Sequence, residues 1–217
     1  MSTEQVVFLH GLGAGPDSWE AQIATLPKGF SGTAPRISGL SDNGGAEFSF
    51  SGAAAEIVRG LDRRGIERAH VCGLSIGAML ALRTAVDHPD RVASLVLSGG
   101  QVNPPQVVLH LQSVLTRVLP ARVIAPNGMS RRRALAALEE VSRVDLRAQL
   151  PGVEVPALVL CGSWDLVNLP AARATAAGLP NARLRIVESG GHELNVHKPA
   201  DFAAELATFY RDEVSSP

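Results

Sequence analysis

Short apolar runs alternate with longer amphipathic stretches along most of this chain, and that alternation restricts its possible folds more than any other feature. Residues 6–9, 69–72, 92–97, 155–161 and 182–187 read as buried strands, and residues 32–37 as a weaker one. Helical signals occupy the segments between, at about 17–26, 51–64, 76–86, 170–178 and 199–211. In the second of these, Ala54, Ile57, Val58 and Leu61 share one face, and Gly65 is a natural stop. Strands that alternate with helices form a parallel sheet, and right-handed crossovers cover both its faces. The expectation is an α/β fold: one domain over residues 1–217 with a doubly wound, mostly parallel sheet of about six strands. The rhythm breaks over residues 103–150, where Pro104, Pro105, Pro120 and Pro126 interrupt two or three short helices. That stretch is expected to be a helical cap inserted after the fourth strand.

Composition narrows the partners. With 46% hydrophobic residues the chain can bury a sizeable core, and its net charge of −1 gives no field for nucleic acid or an acidic membrane. No apolar run approaches the roughly 18 residues that a membrane span needs. The segment before Val6 lacks the basic start of a secretory signal. Cys72 and Cys161 both sit in apolar strand-like runs without partners at metal-ligand spacing, so they read as buried thiols in a reducing, cytoplasmic compartment. A small-molecule substrate, no metal or organic cofactor, and a monomer or small homo-oligomer are expected.

The densest chemical signal is Gly73-Leu74-Ser75-Ile76-Gly77. It lies directly after one expected strand and directly before a helix. Such a turn holds its serine in a strained backbone conformation and lifts Oγ above the sheet edge. Gly73 and Gly77 are small because larger side chains would collide with the neighbouring helix and strand. The helix N-terminus adds unpaired N–H groups and partial positive charge. Ser75 is the candidate nucleophile; a plain strand-to-helix turn needs no glycine on both sides of a serine.

A serine hydroxyl needs a general base within hydrogen-bond reach, on a loop above the strand ends. Of the six histidines, His192 fits, in Ser189-Gly190-Gly191-His192-Glu193 just past the last expected strand. His70 lies at the wrong end of its strand, His88 at a helix exit, His110 in the insertion and His197 near the last helix. The base needs an acid to orient it and to stabilise the imidazolium. Asp165 is the one acid in the exit loop Gly162-Ser163-Trp164-Asp165, with Glu193 and Glu188 as fallbacks and a helix N-cap as the alternative role for Asp165. Negative charge that builds on a substrate carbonyl needs preorganised N–H donors. Ile76 N–H is one candidate. Leu12 N–H is the other, from the loop His10-Gly11-Leu12-Gly13-Ala14-Gly15 after the first strand. That loop lacks the Gly-Lys-Ser/Thr ending of a phosphate loop, and His10 is expected to brace it.

These residues resemble the α/β-hydrolase superfamily, in its small esterase and lactonase-like branch. The resemblance rests on His10-Gly11-Leu12-Gly13 with Trp19, Gly73-Leu74-Ser75-Ile76-Gly77, His88-Pro89-Asp90-Arg91-Val92, Gly162-Ser163-Trp164-Asp165 with Pro170, and Gly190-Gly191-His192 with Pro199. It implies a triad of Ser75, Asp165 and His192 beneath a helical cap. Two departures stand out. Relatives carry a strand hairpin before the first strand seen here, so the sheet is expected to lack it. The loop Arg36-Ile37-Ser38-Gly39-Leu40-Ser41 has no acid where such relatives have an Asp, so a relative's substrate preference does not transfer. The cap, residues 103–150, is also short for the family.

The activity these features imply is hydrolysis of a small to medium carboxylic ester, thioester or lactone through an acyl-enzyme on Ser75. The rivals are C–C bond hydrolysis or lyase chemistry on the same triad, and a low-turnover ligand-binding protein. Val107, Val108, Leu109, Leu111, Val114, Leu115, Val118 and Leu119 in the cap are expected first to pack on the core, and some to line an acyl pocket. Arg131-Arg132-Arg133 reads as a solvated face, with anion recognition as a weaker alternative.

Overall fold

A computed structural model describes residues 3–40, 46–118 and 129–214. Six strands form one sheet: β1 (Glu4–Leu9), β2 (Phe30–Thr33), β3 (Ala69–Leu74), β4 (Val92–Ser98), β5 (Ala157–Gly162) and β6 (Ala182–Val187). Their order is β2-β1-β3-β4-β5-β6, and every adjacent pair is parallel. After β1 the chain steps outward to β2; after β3 it steps the other way to β4. The loops that leave β1 and β3 therefore diverge at a topological switch point, where open α/β sheets bind ligands. Among the described residues β2 is one edge of the sheet and β6 the other.

The central strands β3, β4 and β5 are buried along nearly their whole length because consecutive residues feed two different cores. Val7, Leu9, Val71, Leu95, Leu97, Val159 and Cys161 point into one core, with α2 (Phe50–Asp62), α3 (Ile76–Asp87) and, further along the chain, the helix Leu169–Gly178. Val6, Phe8, Cys72, Val96, Leu158 and Leu160 point into the other, with the short α1 (Glu20–Ala24) and the C-terminal helix Pro199–Phe209. Both cysteines are free and buried.

Two boundaries differ from expectation. The second strand occupies Phe30–Thr33 and not 32–37. Pro35 has no N–H for a ladder, and the Ile37 N–H is donated to His10 Nε2, so the chain peels off the sheet after Thr33. The first helix is split into a 3-10 turn, Pro16–Trp19, and α1. The split directs the Trp19 ring into the core, fully buried, 5.1 Å from Phe8 and 5.5 Å from Phe202 between centroids.

Between β4 and β5 stand α4 (Gln106–Val118), α5 (Arg131–Ser142) and the 3-10 segment Arg147–Gly152. Here one expectation is overturned. Val107, Leu111, Val114, Leu115 and Val118 face solvent, and among the described apolar side chains of α4 it is Leu109 that is buried. The physical reason is position: α4 packs chiefly on α5 and spans the site below it, so it has only a narrow seam to bury. The Val108 side chain, Leu119, Pro120 and Pro126 lie outside the described residues. Arg133 also departs from a solvated face. It is buried and donates to the carbonyls of Ala46 (3.2 Å) and Gly39 (3.5 Å), tying α5 to the loop after β2. Arg131 and Arg132 are exposed, and Arg132 pairs with Glu47.

The remaining helices are α6 (Leu169–Gly178), α7 (Leu194–His197) and α8 (Pro199–Phe209). Gln22 Nε2 donates to the Asn195 carbonyl (3.0 Å) and Asn195 Nδ2 to that of Ser18 (2.9 Å), so α7 is locked to the segment after β1. Truncation of the Trp19 ring should expose how much the second core depends on it. Trp19→Ala is expected to lower unfolding stability by about 3–5 kcal/mol, read as a lower urea midpoint at unchanged slope.

Candidate active site

Ser75 takes φ 57° and ψ −121°, one of two non-glycine residues with positive φ among those described. Its surroundings enforce this. A Cβ on Gly73 would lie 2.2 Å from the Gly77 carbonyl oxygen, and one on Gly77 would lie 2.2 Å from that of Leu9. Only glycine permits α3 to start so close to β1 and β3. The Ser75 N–H donates to the Ser98 carbonyl (2.8 Å), and its own carbonyl accepts from Ala78 (3.0 Å) and Met79 (3.1 Å). The backbone is thus held on both sides while the side chain faces a pocket of about 290 Å³.

Asp165 and His192 reach that pocket from two adjacent loops. A Cβ on Gly162 would lie 2.1 Å from the Gly190 carbonyl oxygen, so these loops pack backbone against backbone. Trp164 N–H donates to the Gly190 carbonyl (2.9 Å), Ser163 N–H to that of Val187 (2.9 Å), and Ser189 N–H to Ser163 Oγ (2.9 Å). This stitching brings His192 Nδ1 to 2.8 Å from Asp165 Oδ2. Burial pushes the Asp165 carboxyl up, but hydrogen bonds from His192 and Asn168 outweigh it and hold its pKa below the ordinary carboxylate value. An ionised Asp165 only accepts, so Nδ1 is the nitrogen that carries the proton in this bond. Glu188 and Glu193, the fallback acids, are both exposed, and it is Asp165 that His192 bonds.

Ser75, Asp165 and His192 all line the pocket, with Met79, Pro104, Leu109, Val141 and Val167 as its apolar wall. Ser75 and His192 are not hydrogen-bonded to each other; bonds of this kind commonly tighten only in the substrate complex. Ile76 follows the serine directly, and Leu12 lies in the loop after β1. Ile76 is the first residue of α3, where N–H groups lack helical partners. Gly11 brings the Leu12 loop alongside, since its Cβ position lies 3.7 Å from Ser75 Cβ. His10 braces this loop as expected: Nδ1–H donates to the Gly11 carbonyl (2.9 Å) and Nε2 accepts from Ile37 N–H (3.3 Å). The other histidines stay outside: buried His70, at the opposite end of β3, contacts Ser94 and Glu4, and His88, His110 and His197 do not line the pocket.

Three residues at the site went unread in the sequence. Gly99, at φ 59°, leaves room for the base: a Cβ there would lie 2.9 Å from His192 Cε1. Asn168 and Gln101 form a hydrogen-bonded chain to Asp165. Gly99-Gly100 at a strand exit was a usable signal; two lone amides in loops were not. A larger cavity, about 350 Å³ between residues 33–38 and α2, contains none of these groups.

A parallel sheet with a positive-φ serine at its switch point and an Asp–His pair on the neighbouring strand exits defines an α/β-hydrolase architecture. The model of the family described as "Alpha/beta hydrolase family" matches residues 6–205, and the chain belongs to it. Among curated proteins it is similar to the "Putative carbamate hydrolase RutD" of Caulobacter sp. (strain K31), 26% identical, the alignment covering 98% of this chain and 92% of that protein. Among solved structures it is similar to the enol-lactonase from Burkholderia xenovorans LB400, with TM-score 0.83, 22% identity and coverage of 98% and 93%. A thermophilic esterase from Thermogutta terrifontis gives TM-score 0.83 at 20% identity, with coverage of 97% and 90%. These structural likenesses show the fold.

Two predictions arise from this geometry. Gly99→Ala should displace the His192 ring and lower the rate of Ser75 labelling or turnover by up to roughly 10²-fold, with far-ultraviolet circular dichroism unchanged. Burial lowers the His10 pKa below the ordinary histidine value of about 6.5 despite the hydrogen bond to Gly11. Unfolded chains then take up this proton first, so the stabilisation is present above about 6.5 and is lost as pH falls. Thermal midpoints of wild type should fall between pH 7.5 and 5.5, and His10→Gln should flatten that dependence (pH values chosen about one unit either side of the free histidine pKa).

Proposed function

We propose that this α/β hydrolase is a serine hydrolase that cleaves a small to medium, uncharged carboxylic ester, thioester or lactone through an acyl-enzyme on Ser75. The observation that carries the reading is the meeting of the positive-φ serine with the Asp165–His192 pair on one pocket. His192 Nε2 takes the proton as Ser75 Oγ attacks the substrate carbonyl. Asp165 stabilises the imidazolium, and the Ile76 and Leu12 N–H groups receive the oxyanion. The imidazolium then protonates the leaving group. Water, deprotonated by the same nitrogen, releases the acid and restores Ser75.

Pocket polarity supports an uncharged substrate. Among the described lining residues there is no Lys or Arg; besides the triad members, the polar groups are the amides of Gln101, Gln112 and Asn168. Arg131, Arg132 and Arg133 of α5 are not among the described residues that line this pocket. The likeness to a carbamate hydrolase and an enol-lactonase makes carbamates and enol-lactones natural members of the first substrate panel, since both offer the same carbonyl for attack.

Intact mass and peptide mapping after a fluorophosphonate probe test the reading. Wild type should label at Ser75, Ser75→Ala should not, and His192→Ala should label far more slowly. Hydrolysis of p-nitrophenyl esters by Ser75→Ala should drop by roughly 10⁴-fold or more. Folded wild type that neither labels nor hydrolyses esters, lactones or carbamates would overturn the proposal.

A further inference from the structure

Asn168 precedes α6 as its N-cap residue, where an asparagine side chain ordinarily accepts from the first turn. It makes no such cap. The side chain is buried and turned the other way, with Nδ2 at 2.8 Å from Asp165 Oδ1 and 3.0 Å from Oδ2. An ionised carboxylate only accepts, so the amide must present its NH₂ to Asp165. Its carbonyl oxygen is then left to accept from Gln101 Nε2, at 2.6 Å. Gln101 comes from the exit of β4, two residues past Gly99. The orientation of Asn168 is therefore fixed from both ends, by groups that leave two neighbouring strands. Nδ2 also stands 3.1 Å from His192 Nδ1, so Asn168 touches both members of the Asp–His pair.

We propose that Asn168, oriented by Gln101, is a positioning residue that fixes the rotation of the Asp165 carboxylate so that Oδ2 meets His192 Nδ1–H. This rests on the hydrolase reading. With both oxygens engaged, the carboxylate cannot turn about its Cβ–Cγ bond without breaking a bond to a charged acceptor. The imidazole is then held in the tautomer whose Nε2 is free for the Ser75 proton. The forgone helix cap marks the cost of this arrangement to α6, and the hydrogen bonds to Asp165 offset it. Without Asn168, His192 is the single side chain opposing the burial of Asp165.

Asn168→Leu keeps the approximate volume and removes the donor. With p-nitrophenyl acetate, kcat is expected to fall roughly 10- to 100-fold, the range for a hydrogen bond to a charged group. KM should stay within about twofold, because the residue acts through Asp165. In proton NMR, the low-field His192 Nδ1–H resonance, assigned by its loss in His192→Ala, should move upfield. Gln101→Leu leaves the Asp165 contacts in place and should shift kcat and the resonance in the same direction, by less. It serves as the test if Asn168→Leu fails to fold. A folded Asn168→Leu with wild-type kcat and an unmoved resonance overturns the proposal, as does a change confined to KM. If wild type shows no turnover and no Ser75 labelling, the hydrolase reading fails. The resonance then decides the positioning role alone: dependence on Asn168 sustains it, and independence overturns it.

Discussion

The close approach of α3 to the ends of β1 and β3 is the constraint on which the site depends. Backbone meets backbone there with no room for a single methyl group on Gly73 or Gly77. That contact forces the tight turn, the turn forces Ser75 to positive φ, and positive φ aims the hydroxyl away from both cores. The same contact places the first turn of α3 beside the serine. Packing energy of the sheet and helices thus sustains a local conformation that the chain would otherwise avoid. The strain is tolerated because β3 is an interior strand, paired on both sides to β1 and β4.

A second backbone-to-backbone contact, between Gly162 and Gly190, does for the acid and base what the first does for the serine. It makes the two loops a single stitched unit, so that Asp165 and His192 meet although they are 27 positions apart in sequence. The lock of α7 onto the segment after β1 extends this order toward the Leu12 loop. Rigidity around the pocket floor contrasts with its roof. The floor rests on glycine contacts and charged hydrogen bonds, whereas α4 above it has little buried surface and an apolar stripe turned to solvent.

Much of this architecture was legible because it depends on periodicity and on residues with no substitute. Strands that supply two cores need long apolar stretches, which is why β3, β4, β5 and the end of β1 stand out in the sequence, whereas β6 alternates apolar residues with Arg183 and Arg185. The elbow was legible because glycine is needed at both Gly73 and Gly77. Asp165 and His192 were legible because each is the suitable group in a loop that leaves a strand. What escaped has a common cause. The burial of α4 could not be read, since the same apolar spacing serves a face that packs on a core and a face that overhangs a pocket. The end of β2 hinged on a hydrogen bond between Ile37 and His10, two residues with no local relation. Arg133 looked solvated within a run of three arginines, yet it alone turns inward to carbonyls from another loop. Asn168 gave no signal in the sequence, and only three-dimensional proximity reveals that its amide bonds the Asp165 carboxylate.

The four contributions to the site leave the sheet from the ends of β1, β3, β5 and β6, and they follow that order along the chain. On the proposed reading, a ribosome makes the oxyanion loop first, the serine next, and the base close to the finish. Until the Gly190 loop has been synthesised and has docked on the Gly162 loop, the Asp165–His192 pair is not assembled. The proposed activity would then arise only as the last strand closes the sheet, which would make completion of the fold the activating event.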